Sequence, residues 1–439
     1  MSHRQLSAFI LSSVCLLSPQ LFANDWPQFR GPHFNGTADA SNLPAEWSRT
    51  DNVLWVADLP GASAATSIVY GDRVFVSSTD AARESVCALC FDRATGKQLW
   101  RREIAAEIRK DTRSNYASPT PATDGQRVVF FYGNGDLVAF DFNGKELWKR
   151  NIQEEFGPFA FMWTFSTSPV LHDGKLFIQV LQRDVPVAGI GLQGQFNESY
   201  ILALDPASGD VLWRHVRPSD AVAESRESFN TPLPWEYKGR KELVITGGDD
   251  ISGHDPETGE ELWRWGTWNP GRIGHWRHVP SPVAGEDVVL VCAPKSDPVY
   301  AIKLGGHGRL SDEAIAWDSA KARQVTSDVP TPAFYEGDFF ILSDVKKSLS
   351  RVVPATGEVK WSVKTPGRDK FEASPTMADG KIYIINFVGE VVVVDSDNGE
   401  ILSIIEMDEP AEDAVRSTVV AAGDQLFIRV NRKLYCIQK

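Results

Sequence analysis

Cysteine is scarce: the chain of 439 residues holds 5, and no two are adjacent. A disulfide framework is therefore excluded as the source of stability. Cys87-Ala88-Leu89-Cys90 has the spacing of a thiol pair, yet the segment alternates like a strand. Positions i and i+3 of a strand face opposite sides, which suits neither a redox couple nor a zinc clamp. Basic residues are also in deficit, with Lys plus Arg at 45 against Asp plus Glu at 58, a net charge of −13. With no basic stripe to offset it, that balance excludes nucleic acid as a partner. Long apolar runs are missing beyond the first 23 residues, so no transmembrane segment is expected. Those first residues have a weakly basic start (His3, Arg4), an apolar stretch from Leu6 to Leu17 and a small residue at Ala23. They read as a secretory signal spanning 1–23, and hence as a periplasmic or secreted protein.

Tryptophan is abundant, and half of the 14 residues fall into one column: Trp55, Trp100, Trp148, Trp213, Trp263, Trp317 and Trp361. Most follow a turn of the form Gly-x-x-Leu-Trp, as in Thr95-Gly96-Lys97-Gln98-Leu99-Trp100 and Ser208-Gly209-Asp210-Val211-Leu212-Trp213. An eighth copy, Asn398-Gly399-Glu400-Ile401-Leu402-Ser403, has lost the Trp. Each turn follows a short alternating strand ending in Asp, such as Ala203-Leu204-Asp205. The Asp accepts hydrogen bonds from its own turn, and Gly takes the positive φ that the hairpin needs. The Trp then offers a large apolar surface to the neighbouring unit. Further upstream, a Ser-Pro or Thr-Pro pair introduces each unit, as at Ser374-Pro375. About four short strands per unit of this length predict radial blades.

The chain ends agree. The last unit stops three strands in, at Leu434-Tyr435-Cys436-Ile437, while Asn52 to Leu59 supplies an orphan outer strand. Joining them gives an all-β, eight-bladed propeller of four-stranded antiparallel blades, its ring closed by the N-terminal strand. The expected organisation is a signal at 1–23, an extension at 24–52 and one propeller at 53–439. Cys90 and Cys436 fall in the small, buried column of Ala139, Ala203 and Ala301.

These units resemble the repeat of the quinoprotein-type, PQQ-like β-propellers, whose blades end in Ala-Leu-Asp-x-x-Thr-Gly-x-x-x-Trp. Asp25-Trp26-Pro27-Gln28-Phe29-Arg30-Gly31-Pro32 resembles the mature N-terminus of many secreted members. The resemblance implies either a quinone-dependent dehydrogenase or a non-catalytic member such as an envelope assembly scaffold. The dehydrogenases would bring pyrroloquinoline quinone and Ca²⁺, with an adjacent Cys-Cys pair over the quinone; this chain has no such pair. The residues themselves assign no cofactor and no metal.

In a propeller, the connections from each outer strand to the next inner strand emerge on one face and feed a central funnel. The register places Asn115 and Tyr116, Thr164 and Phe165, Glu227 and Asn230, Arg277 and His278, Ser327 and Asp328, Phe371 and Glu372, and Arg416 around it. Two aromatic loops, Phe156 to Trp163 and Trp265 to His278, and an insertion from Gln182 to Ser199 serve blades 3–5 on that face. With Trp163, Trp268, His275 and Trp276 they are expected to form an aromatic, partly cationic cleft for a planar anion, a sugar or a peptide. The main functional expectation is a non-catalytic binding or scaffold propeller, a monomer with an unidentified protein or small-molecule partner. The alternatives are a quinone-dependent alcohol or sugar dehydrogenase and a peptide-docking envelope assembly factor. In the dehydrogenase, Arg277 or Arg416 would hold the quinone and Asp328 or Glu227 would act as base.

Overall fold

A computed structural model describes residues 25–407 and 413–439. The leader read at 1–23 lies outside the described residues. Eight antiparallel sheets follow one another: blades 1 to 7 occupy 68–105, 122–151, 170–216, 233–266, 283–318, 333–364 and 376–406. Blade 8 combines 420–438 with Val53–Asp58, which pairs antiparallel with Lys433–Gln438 (Trp55 opposite Cys436, Asp58 opposite Lys433). The ring is thus closed as the sequence predicts. Blade 4 carries a short fifth strand, Gly308–Arg309, running parallel to its outer strand. One short helix, Ile152–Phe156, is capped by the Asn151 side chain. Among the described residues no helix is long and apolar enough to cross a membrane.

The repeat column works by stacking between blades. Trp55, Trp100, Trp148, Trp213 and Trp317 each donate their indole N–H to a carbonyl in the next blade's turn, at 2.6 to 3.1 Å. The glycine of that turn lies on the ring: a Cβ at Gly209 would meet Trp148 at 2.8 Å. Glycine is required there twice over, by its φ of +79° and by the indole face. Opposite each Trp in the sheet stands Cys90, Ala139, Ala203, Ala301 or Cys436, because a larger side chain would displace the indole. The departures are local: Trp263 donates instead to Glu242 of its own blade, and Trp361 faces Arg351 with no partner for its N–H.

Two further devices hold the axis. At seven of the eight junctions the Ser or Thr introducing an inner strand accepts a hydrogen bond from the backbone N–H of its counterpart in the preceding blade. Six such bonds link Thr66, Thr120, Ser168, Thr231, Ser281, Thr331 and Ser374, and in a seventh the Thr418 N–H donates to Thr66 at 3.2 Å. At the opposite end of the channel the N-terminal extension forms a plug. Trp26 exchanges both backbone bonds with Val69 of blade 1, and Pro27 accepts from Thr123 of blade 2. Gln28 pairs reciprocally with the Leu171 backbone of blade 3. Arg30, fully buried, holds the carbonyls of Pro332 and Pro375, both at 2.8 Å, at the starts of blades 6 and 7. The central channel is therefore blind at this end.

Candidate functional site

The inner strands run from the mouth towards the plug, so side chains line the channel in tiers. Phe29 closes the floor, the Ser/Thr ring forms the wall, and Arg113, Trp163, Phe229, Arg277, Glu372 and Arg416 form the rim of a well of about 160 Å³. A second chamber of about 290 Å³ opens beside it between blades 8, 1 and 2, sharing Ala64, Arg113, Ser114 and Arg416 with the well.

Charge is concentrated at the rim. Arg416 Nε donates to Glu372 Oε2 at 2.9 Å, with Arg113 at 3.8 Å and Lys370 at 3.9 Å from the same carboxylate. Arg277 lies 3.7 Å from Asp328 and 4.0 Å from Glu224, and Glu224 accepts the Trp163 indole N–H at 3.0 Å. Just behind, Asp344 accepts from the Asp328 backbone at 3.0 Å. Burial, and then the negative charges of Asp328 and Glu372, push its carboxyl up to about 6.

Of the residues predicted from sequence, the structure brings Trp163, Arg277 and Arg416 to the well and Asp328 into contact with Arg277. Asn115 lines the side chamber, its Nδ2 donating to Ala62 O at 3.1 Å. Half-buried Tyr116 donates to Glu107 at 3.4 Å. Glu227 is fully buried, accepting from Arg183 and from the Met162 backbone, and burial pushes its carboxyl up to about 7. Asn230 and His278 form a closed pair (2.8 Å), with His278 Nε2 donating to Cys292 O at 3.0 Å. Burial lowers that imidazole to about 4, so it is neutral, and the Trp268 ring packs on it at a tilt, 5.1 Å between centroids. His275 is exposed, and Trp276 is half-buried with its backbone N–H on Ser225.

The aromatic loops pack on themselves rather than opening a cleft. Phe159, Phe161 and Phe165 form one buried cluster (Phe159 to Phe165, 4.7 Å), covered by Gln182 of the insertion, which accepts the Ala160 N–H at 2.7 Å. Only Trp163 of that loop lines the well. Sequence reasoning passed over Arg113 and Phe29. Arg113 lies in the blade 1–2 connection, whose polar composition reads as solvated loop, and Phe29 lies in the extension, outside any repeat.

A group held here must suit these donors. Three guanidiniums around a blind well, with the flat ring of Trp163 and a wall of hydroxyls, fit a planar polycarboxylate. A calcium ion needs six to eight oxygen ligands, whereas the one carboxylate lining the well, Glu372, is already engaged by cations. The residues fit the quinone that the resemblance implies and do not fit a calcium ion. The described cysteines are buried in the blades as free thiols, so no disulfide caps the mouth. Among the described residues one trio could hold a metal, His215, His254 and Glu261. It lies away from the mouth, and Arg264 engages both oxygens of Glu261.

The PQQ_2 family, described as outer membrane protein assembly factor BamB, matches residues 37–185 and 197–439. The chain belongs to the PQQ_2 family. Its curated relatives within reach are dehydrogenases. A polyvinylalcohol dehydrogenase of Pseudomonas sp is 31% identical over 169 residues, covering 37% of this chain and 24% of its own. The quinohemoprotein alcohol dehydrogenase ADH IIB of Pseudomonas putida is 24% identical over 371 residues, covering 79% of this chain and 48% of its own. This PQQ_2 chain thus spans a quarter to a half of the length of those relatives. In fold it superposes on a europium-containing methanol dehydrogenase with a TM-score of 0.70 at 10% identity, covering 95% of this chain and 98% of the other. These relatives overturn the expectation of a non-catalytic scaffold. That expectation weighed the missing Cys-Cys pair above the cations that the repeat register had already gathered at the funnel.

Proposed function

We propose that this protein is an exported, quinone-dependent oxidoreductase of alcohols that holds its quinone in the axial well. The observation that carries the reading is the convergence of Arg113, Arg277 and Arg416 on a blind, aromatic-rimmed well in an otherwise acidic protein. Export rests on the leader composition at 1–23 alone. When bound, the quinone would supply the two-electron acceptor and be reduced to the quinol as the alcohol becomes a carbonyl.

The chain's own residues bind, orient and move a proton. Arg277 and Arg113, which lie 3.7 to 4.0 Å from the rim's own carboxylates, would hold the quinone's carboxylates by charge-assisted hydrogen bonds. The Trp163 ring is fixed by its N–H on Glu224, so it presents one face to a planar ligand. Phe29 and the hydroxyl ring close the well below, leaving the mouth as the route in and out. Glu372 is the carboxylate placed to take the hydroxyl proton, and Arg416 holds it in position.

Calorimetry with pyrroloquinoline quinone and dye-reduction assays with alcohols test the reading together. Binding of the quinone and dye reduction are expected. Arg277→Ala is expected to weaken quinone binding about tenfold or more. Glu372→Gln is expected to cut kcat by about 10²–10⁴-fold while quinone affinity stays close to that of the parent. A parent protein that binds no quinone sinks the reading.

A further inference from the structure

We infer that the chamber beside the well is a carboxylate subsite, so that the alcohol oxidised is a hydroxy acid whose carboxylate lies in the chamber while its carbinol reaches the well. The inference rests on the proposed oxidoreductase reading. Its geometric basis is the continuity of the two cavities through Arg113, Ser114 and Arg416.

The balance of charge in the chamber points to an anion. Its cations are Lys110, Arg113, Arg416 and Arg429. Lys110 is paired with Asp413 at 2.5 Å, and Arg113 and Arg416 share Glu372. Asp111 is spent on its own loop and the next, accepting from the backbones of Arg113, Ser114 and Thr164 and from the Thr164 hydroxyl. Arg429 remains. It is 3% exposed, and its partners are neutral: Ser77 O at 2.8 Å, Gly61 O at 2.9 Å and Ser78 Oγ at 3.4 Å. Its Nε is buried with no partner at all.

Arg30 of the plug is likewise held by neutral carbonyls with its Nε unpartnered, but it lines neither the well nor the chamber. A clamp at another junction of this ring looks different. Arg217 ties blade 3 to blade 4 with every nitrogen satisfied, by Ser252 Oγ, Gly247 O and Asp250 O. The charges of Asp250 and Glu261 support it. Among the described residues no carboxylate faces Arg429, and it lines a chamber large enough for a small anion. Burying a cation without a charge partner is costly, and an anion seated in the chamber would offset that cost for Arg429. On a protein of net charge −13, a local positive chamber also draws in an anionic substrate that the surface as a whole repels.

Gluconate and glucitol share a carbon skeleton and differ in the carboxylate, which makes them the probes. Calorimetry on the full mature protein, with and without pyrroloquinoline quinone, is the measurement. Gluconate is expected to bind both forms, and glucitol about tenfold or more weaker. Arg429→Gln is expected to lose gluconate affinity by about tenfold or more, Arg429→Lys to recover most of it, and quinone affinity to stay unchanged in both. Should Arg429→Gln fail to fold, Lys110→Ala at the exposed side of the chamber is expected to weaken gluconate several-fold. Equal affinity for the two probes overturns the inference, as does gluconate binding that neither site's substitution alters. Gluconate displaced by the quinone also overturns it, since the chamber would then belong to the cofactor. Gluconate binding by a protein that takes no quinone would fail the oxidoreductase reading and leave the anion subsite standing.

Discussion

Glu227 and His278 are joined by a backbone hydrogen bond of 3.1 Å, yet they drive stability in opposite directions with pH. Burial raises the Glu227 carboxyl from 4.5 to about 7 and lowers the His278 imidazole from 6.5 to about 4. A raised carboxyl binds its proton more tightly in the folded chain. Its stabilisation is complete below about 4.5 and is lost as the pH rises through about 7. The lowered imidazole behaves inversely: its stabilisation is complete above 6.5 and is lost as the pH falls through about 4. Between those limits the two oppose each other, so the parent protein's own profile hides both. Glu227→Gln removes one of them. The stability of E227Q relative to the parent is expected to rise between about pH 5 and pH 7 by on the order of 2 kcal/mol. Urea titrations at several pH values measure it, and a difference independent of pH contradicts the assignment.

At the scale of the blade, the turn glycine does two jobs that a pair of substitutions separates. Gly174 and Gly209 have φ of +72° and +79°, but a Cβ at Gly174 meets nothing within 4 Å, whereas one at Gly209 meets Trp148 at 2.8 Å. Alanine at either position carries the left-handed strain, about 1 kcal/mol. Gly209→Ala must also push the indole off its bond to Pro206, adding about 1–3 kcal/mol. Thermal melts are expected to rank G209A well below G174A, and equal losses would show that the stacking contributes nothing. This column was legible in the sequence because its parts recur at short, fixed offsets within each unit. The hydroxyl ring was not, since most of its members bond a counterpart some fifty residues away and six of the eight show in sequence only as a lead-in to Pro. Arg429 was invisible for a similar reason. It stands in the strand Gln425–Val430, and only the packed ring reveals that its described neighbours offer no carboxylate.

For the whole molecule, the N-terminal segment carries two separable functions. Residues 25–37 plug the channel, while Val53–Asp58 closes the ring. Sequence alone exposed the second, because an orphan strand demands a partner; the first lacks periodicity and became visible only through its bonds to blades 1, 2, 3, 6 and 7. Two truncations therefore have different outcomes. A chain beginning at Ala38 loses Phe29 from the well floor and the Arg30 carbonyl bonds but keeps all four strands of blade 8. It is expected to keep the oligomeric state of the parent, with a lowered Tm and weakened binding of any ligand seated in the well. A chain beginning at Pro60 leaves Lys433–Gln438 as a bare edge with its apolar partners Trp55 and Ala57 gone. Unpaired edges template association, so this chain is expected to aggregate. Light scattering after size-exclusion chromatography distinguishes the two. A soluble, monomeric chain starting at Pro60 would mean that the remaining three strands of blade 8 hold the ring through their own contacts to blade 1, the Thr418–Thr66 link, the Arg429 bonds and the Arg93 bonds to Gln425 and Ala422 among them.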